Sequence, residues 1–439
     1  MAGDEEEAPV PPADGPSPAA GNAPAAAVTA TVTAAEEDMV SSFKVFKKSS
    51  PNGKVTVYLG KRDFVDHISS VDPIDGVLLV DPSYLDGRQV YGQVICSFRY
   101  GREEDEVMGL NFQKDIYLAS EQVYPSVNTD TANMSKLQER LLKKLGPHAV
   151  PFTFHLPQNA PSSVTLQPGE TDQGAPCGVE YILKLFVGDS ELDRSHKRAT
   201  VALNIRKVQY SPSKGGRQPC TVVRKDFMLS PGELELEATL DKQLYHHGES
   251  VAVNICIRNH SNKTVKRIKC SIQQGVEVCI FSNGSYKATV ASFETEEGCP
   301  VEPGQCLQKV IMMTPSLENN NRRGIALDGK LKQQDTGLAS STLLANPDQR
   351  DVFGIVVSYS AKVKLFLGAL GGELVAELPF VLMHPKPSAQ RPLQHVASTE
   401  QLETFRSDSI DLAESDAPPA THGNGAGLTE PLTGLRLRH

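Results

Sequence analysis

The sequence predicts an all-β protein: two antiparallel β-sandwich domains carrying one short amphipathic helix, with disordered tails at both ends. Three observations predict it. Apolar and polar residues alternate in short runs from about residue 43 to 385, turn-forming clusters separate the runs, and a single segment has a helical period. So many short strands exceed what one sandwich core holds, so two are expected, with domains at 41–213 and 214–387 between tails at 1–40 and 388–439.

The first tail carries eight acids and no Lys or Arg, and residues 8–34 are almost wholly Ala, Pro, Gly, Thr and Val. The second tail is rich in Ser, Pro, Gly, Ala and acids. Neither has enough apolar anchors to offset the entropy of ordering. The formal net charge of −9 is concentrated in these tails, and the body between them is near neutral, so an anion-binding surface must be a local patch.

Along the body, Val55-Thr-Val-Tyr-Leu59, Val201-Ala-Leu-Asn-Ile205, Leu234-Glu-Leu-Glu-Ala238 and Val251-Ala-Val-Asn-Ile-Cys-Ile257 keep a period of two. Ser50-Pro-Asn-Gly53, Asp72-Pro-Ile-Asp-Gly76 and Asn283-Gly284 punctuate them. The polar stretch Ser211 to Pro219 is the expected joint between the sandwiches. Met134 to Leu145 breaks the pattern: Leu137, Leu141 and Leu145 recur at every fourth position opposite Lys and Arg, and Gly146-Pro147 stops the run.

Compartment follows from the cysteines and the ends. The acidic start, Met1 to Glu7, has no apolar core for a secretory signal, and no run of about 18 apolar residues occurs. Eight Cys without paired spacing, several of them (Cys96 and Cys256) inside strand patterns, read as buried thiols in a reducing cytoplasm.

Motifs for chemistry are weak. Gly324-Ile-Ala-Leu-Asp-Gly-Lys330 has the spacing of a phosphate-binding loop. Leu331 follows where a magnesium-binding hydroxyl belongs, however, and Asp328 would repel the phosphate. His246-His247 has no partner at metal-ligand spacing and reads as a solvated turn. No nucleophile or protease signature appears, so neither a cofactor, a metal nor an enzyme is expected. The distinctive feature is basic: Lys44, Lys47 and Lys48 on the first strand, with Lys61 and Arg62 returned beside them by the hairpin at Pro51-Asn-Gly53. Clustered like charges suit a polyanion, and a solvated edge strand guarded by lysines fits equally well.

Several longer runs resemble the arrestin family, of the non-visual, beta-arrestin type. These are Val45 to Lys54, Tyr58 to His67, Leu137-Gln-Glu-Arg140, Pro151-Phe-Thr-Phe154, Ile205 to Tyr210, Leu327 to Lys332, Ala339 to Leu344 and Met383 to Pro387. The resemblance covers residues 43–387. It implies two seven-stranded sandwiches and an adaptor that binds activated, phosphorylated seven-helix receptors, blocks G-protein coupling and supports desensitisation, endocytosis and signalling from the cytoplasm after recruitment to the plasma membrane. It assigns receptor phosphate to Lys44, Lys47, Lys48, Arg62, Lys144 and Lys332, and a receptor-inserting finger loop to Arg102, Glu103, Glu104, Asp105, Val107 and Met108. It assigns inositol phosphate to Lys269 and Lys287, with Gln273 where the family usually has Arg.

Resting members of that family are held closed by a polar core of Arg among aspartates and by a C-tail strand. Asp63, Asp328 and Asp335 fit the core, and Ala202 is expected at its strand Arg position, so the core must hydrate, recruit Arg206 or Lys332, or protonate one Asp. The tail strand has only a degenerate candidate, Leu402-Glu-Thr-Phe-Arg406, and Ser409 to Glu414 is a poor echo of a clathrin box. The expectation is a weakly latched protein that couples poorly to clathrin and its adaptor, with membrane phosphoinositides and signalling kinases as further partners. An arrestin-fold cargo adaptor without receptor-phosphate sensing is the alternative, and a visual arrestin is the near rival.

Overall fold

The computed structural model describes residues 45–386 apart from 108, 127–133, 194–195, 213–214, 229–230, 280–283, 319, 321, 330–336, 344–353 and 369–370. Both tails, with the degenerate latch and clathrin segments, lie outside the described residues.

In the first half, a four-stranded sheet runs in the order β1 (Phe46–Ser49), β2 (Val55–Leu59), β4 (Ile74–Val80), β7 (Ala149–Phe154). Its partner sheet has seven strands: β3 (Asp63–Asp66), β5 (Gln89–Arg99), β6 (Gln113–Tyr124), β8 (Val164–Leu166), β9 (Gly178–Gly188), β10 (Thr200–Gln209) and β18 (Ala326–Asp328). Phe64, Phe98, Phe154 and Tyr181 fill the space between them, each fully buried.

The second half pairs a four-stranded sheet with a five-stranded one. The first is β11 (Cys220–Asp226), β12 (Glu233–Leu240), β14 (Val251–Asn259) and β17 (Cys306–Met313). The second runs β13 (Leu244–His246), β20 (Glu373–Met383), β19 (Ile355–Phe366), β15 (Arg267–Val278), β16 (Gly284–Thr295). Strands β12 and β14 show the expected alternation: Leu234, Leu236, Ala238, Val251, Val253, Ile255 and Ile257 point into the core. Cys96 is buried, whereas Cys256 is half-buried because it lies on the outer face of β14, between Glu237 and Gln308.

The described strands number eleven in the first sandwich and nine in the second rather than seven each, and β18, from the second half of the chain, pairs antiparallel with β8 of the first, Leu327 opposite Thr165. Two pairings are parallel, β3 with β10 and β13 with β20. Both join strands far apart in sequence, which gives room for the long crossover a parallel pair needs.

The predicted helix is present as α2 (Lys136–Leu145). Ser135 and Gln138 cap each other's backbone N–H groups, which satisfies two of the helix's orphan donors. Leu141 packs with Val45, Tyr58 and Val77 on the outer face of the first sheet, flanked by Leu137, Leu142 and Leu145. That seat buries β2 on both faces, where alternation alone predicted one. A second helix, the single turn α1 (Pro82–Leu85), was not expected. Asp81 accepts from the Ser83 N–H to start it, and Pro82 supplies its first position.

Candidate functional site

Among the described residues β1 is an edge strand, bonded to β2 on one side, with Lys47 opposite Tyr58 and Lys48 opposite Val57. Adjacent strand residues face opposite sides, so the two lysines part. Lys47 lies 6.0 Å from the Tyr58 ring centroid, on the side where α2 sits. Lys48 turns toward the second sheet and donates to the Ala202 carbonyl at 2.5 Å. Arg62, buried, donates through Nε to the Asn204 carbonyl at 2.8 Å and lies over the Phe46 ring.

Two carbonyls of β10 therefore hold two cations side by side, and burial followed by repulsion from Arg62 lowers the Lys48 pKa. Lys144 is exposed near the end of α2. Lys44 and Lys332 lie outside the described residues. The structure thus brings Lys48 and Arg62 together, with Lys47 and Lys144 on the helix side of the same edge.

The polar core differs from expectation at Ala202. Parallel pairing sets Arg206 of β10, not Ala202, opposite Asp63. Arg206 grips Asp63 with both Nε (2.8 Å) and Nη2 (2.7 Å), and Nη1 donates to the Gly329 carbonyl at 2.9 Å. Ala202 lies four residues back along β10, opposite Lys184. The guanidinium expected to be missing is therefore supplied by Arg206, and the inference of a weak core from Ala202 is withdrawn.

Asp328 accepts from His384 Nε2 at 2.5 Å and from the Ser340 N–H at 3.3 Å. Asp335 lies outside the described residues. The phosphate-loop reading of Gly324 to Lys330 fails structurally as well, since its centre is strand β18.

Residues of the expected finger loop form a short 3-10 turn, Glu103–Asp105. Arg102 clasps Asp105 and Glu104, and Glu103 accepts from the Ala175 N–H. Val107 and Leu110 are left exposed, and Met108 lies outside the described residues.

On the outer face of the five-stranded sheet, Lys269 and Lys287 do not meet. Lys269 sits opposite Glu294, while Lys287 sits opposite Gly275 and pairs with Glu377. A groove of about 370 Å³ instead gathers Lys269, Gln273, Arg322, Lys362 and Lys364. Reading the sequence missed Arg322, Lys362 and Lys364. The signal for the last two was present, because Lys362-Val-Lys364 alternates and cross-strand register aligns Lys364 with Lys269.

His247 was also misjudged. It is half-buried, its Nε2 is 3.1 Å from Ser340 Oγ, and its ring centroid lies 4.3 Å from that of His384. Burial, then the neighbouring His384, push its pKa down to about 4. Its partners, Asp328 and His384, are distant in sequence, so no local spacing announced them.

The chain matches the family model "Arrestin (or S-antigen), N-terminal domain" over residues 55–211 and "Arrestin (or S-antigen), C-terminal domain" over 230–387. It is 65% identical over 378 residues to an "Arrestin homolog" of Heliothis virescens, covering 86% of this chain and 99% of the relative. It is 58% identical to "Phosrestin-2" of Drosophila melanogaster, covering 82% of this chain and 100% of the relative. It is 53% identical to "Arrestin, lateral eye" of Limulus polyphemus, covering 82% and 90%.

Proposed function

The chain belongs to the arrestin family of non-enzymatic adaptors that desensitise G-protein-coupled receptors, and on that premise we propose that the edge of β1 reads receptor phosphate. The observation that carries this reading is the Lys48–Arg62 pair held on β10 carbonyls beside a strand that, among the described residues, ends its sheet. An extended phosphopeptide can add to that edge through main-chain hydrogen bonds. Its phosphates would add ion pairing to the charge-assisted hydrogen bonds that these two cations now make to carbonyls. Lys47 and Lys144, with Lys44 and Lys332, complete the set of cations.

The rest of the reading follows the same surface. Arg102 to Met108 enters the receptor's cytoplasmic cavity, its ion pairs exchanged for receptor contacts and its apolar residues, Val107 among them, buried on insertion. Arg206, Asp63, Asp328 and Asp335 hold the resting state. The domains divide at 213–214. Lys269, with Arg322, Lys362 and Lys364, offers inositol phosphates a basic groove, and Lys287 contributes from outside it. That groove supports recruitment from the cytoplasm to the plasma membrane. Among the described residues no helix is long and apolar enough to cross a membrane.

A beta-arrestin-type role, with internalisation and kinase scaffolding, is one assignment. A relative named for the lateral eye favours a second, a receptor of photoreceptor cells.

The test is binding of a multiply phosphorylated receptor-tail peptide to the full chain. Lys48→Gln and Arg62→Gln should each weaken it by about tenfold, the loss of one charge-assisted contact. Unchanged affinity in both variants refutes the site.

A further inference from the structure

Three segments that begin far apart in sequence converge at one point. His247 follows β13, Asp328 ends β18, and His384 follows β20. One donor atom from each lies within 4.8 Å of the others. We propose that His247, Asp328 and His384 form a binding site for a divalent transition-metal ion of the zinc class.

Two imidazoles and one carboxylate are the donor set that borderline ions such as Zn²⁺ take, with a fourth position left to a hydroxyl or water. Ser340 Oγ, 3.1 Å from His247 Nε2, stands where that fourth donor belongs. A cavity of about 20 Å³ lies against Asp328, Ser340 and His384, lined further by Ser163, Ser341 and Thr342. That is room for one water or one ion. Lys207 also borders it, but its ammonium is already paired with Asp66 at 2.5 Å.

The backbones that carry the ligands are fixed. His247 N–H donates to the Met383 carbonyl, Ser211 N–H to the His384 carbonyl, and Asp328 N–H to the Gly337 carbonyl. The ligands are therefore held before any ion arrives. Entry requires only that the Asp328–His384 hydrogen bond open, so that both atoms turn to a common centre. A bound ion would tie the β18 strand, which belongs to the sheet of the first half, to the ends of β13 and β20 in the second.

The experiment is a titration of the full, chelator-treated chain with Co²⁺ alone as an optical probe, followed by Zn²⁺. One equivalent of Co²⁺ should produce a visible spectrum of tetrahedral type that Zn²⁺ abolishes. His247→Gln and His384→Gln should each weaken Co²⁺ binding by at least about tenfold, while His246→Gln leaves it unchanged. Zn²⁺ should also raise the unfolding temperature of the native chain and not that of His384→Gln, because a ligand of the folded state stabilises it. Circular dichroism shows that each variant is folded, and the native-chain spectrum stands whether or not a variant folds. Absence of a stoichiometric Co²⁺ spectrum overturns the proposal, as does native affinity for Co²⁺ in the two ligand variants.

Discussion

Arg206 and Asp63 form a two-point ion pair across the parallel junction of β10 and β3, with side chains only 12% and 23% exposed. The parallel register sets the two opposite each other, and the Gly329 carbonyl takes a third guanidinium N–H. Removing one partner leaves a charge in a partly dry site, which costs more than removing both. Arg206→Gln or Asp63→Asn alone should lower stability by about 2 kcal/mol, and the double variant should lose less than the sum. Urea unfolding of the four proteins gives the coupling directly, and strict additivity contradicts it.

Ala202→Arg separates the two positions that sequence similarity confused. Asp63 is already occupied, and the new guanidinium would sit opposite Lys184 and beside Lys48. The expected result is a small destabilisation, about 0.5 kcal/mol from like charges across strands, with no change in phosphate discrimination. Receptor binding by this variant checks it.

Gln138 seats α2. Its amide donates to the carbonyls of Gly76 and Phe152 while its oxygen accepts the Ser135 N–H. Gln138→Leu keeps the volume but orphans two buried carbonyls and one cap. A loss of about 2 kcal/mol is expected, read by thermal unfolding.

Acid stability should depend on Asp72. Burial opposes its charge, but hydrogen bonds from Lys61 and His67 outweigh this and hold the carboxyl below its ordinary value. A depressed folded pKa gives stability that is present above the unfolded value and lost as pH falls through the folded one. Asp72→Asn should therefore cost about 0.5 kcal/mol at pH 6, after solvent screening, and progressively less as pH falls below about 4. Unfolding free energies of both proteins across the acid range test this, and a cost that does not shrink with falling pH contradicts it.

The strands and the helix were legible because burial on one face writes its period into the chain, as in β12, β14 and α2. The α1 turn was not, because Pro82 to Leu85 is too short to show a period. Much of the candidate site was legible as types: Lys48, Arg62, Asp63 and Asp328 all stood out. Arg206 was legible only as one of several recruits to the core, since it meets Asp63 through a parallel register, and His247, Asp328 and His384 meet only after β18 crosses to the other sheet. The error at Ala202 came from aligning an Arg four residues too early on the same strand.

The central claim is that a closed Arg206–Asp63 core makes receptor engagement depend on phosphate. The most direct measurement is binding of the full chain to one activated receptor with and without phosphorylation, alongside Arg206→Gln. The native chain should prefer the phosphorylated receptor by at least about tenfold, roughly 1.4 kcal/mol, and Arg206→Gln should narrow the gap. Equal binding of both receptor forms by the native chain would contradict it.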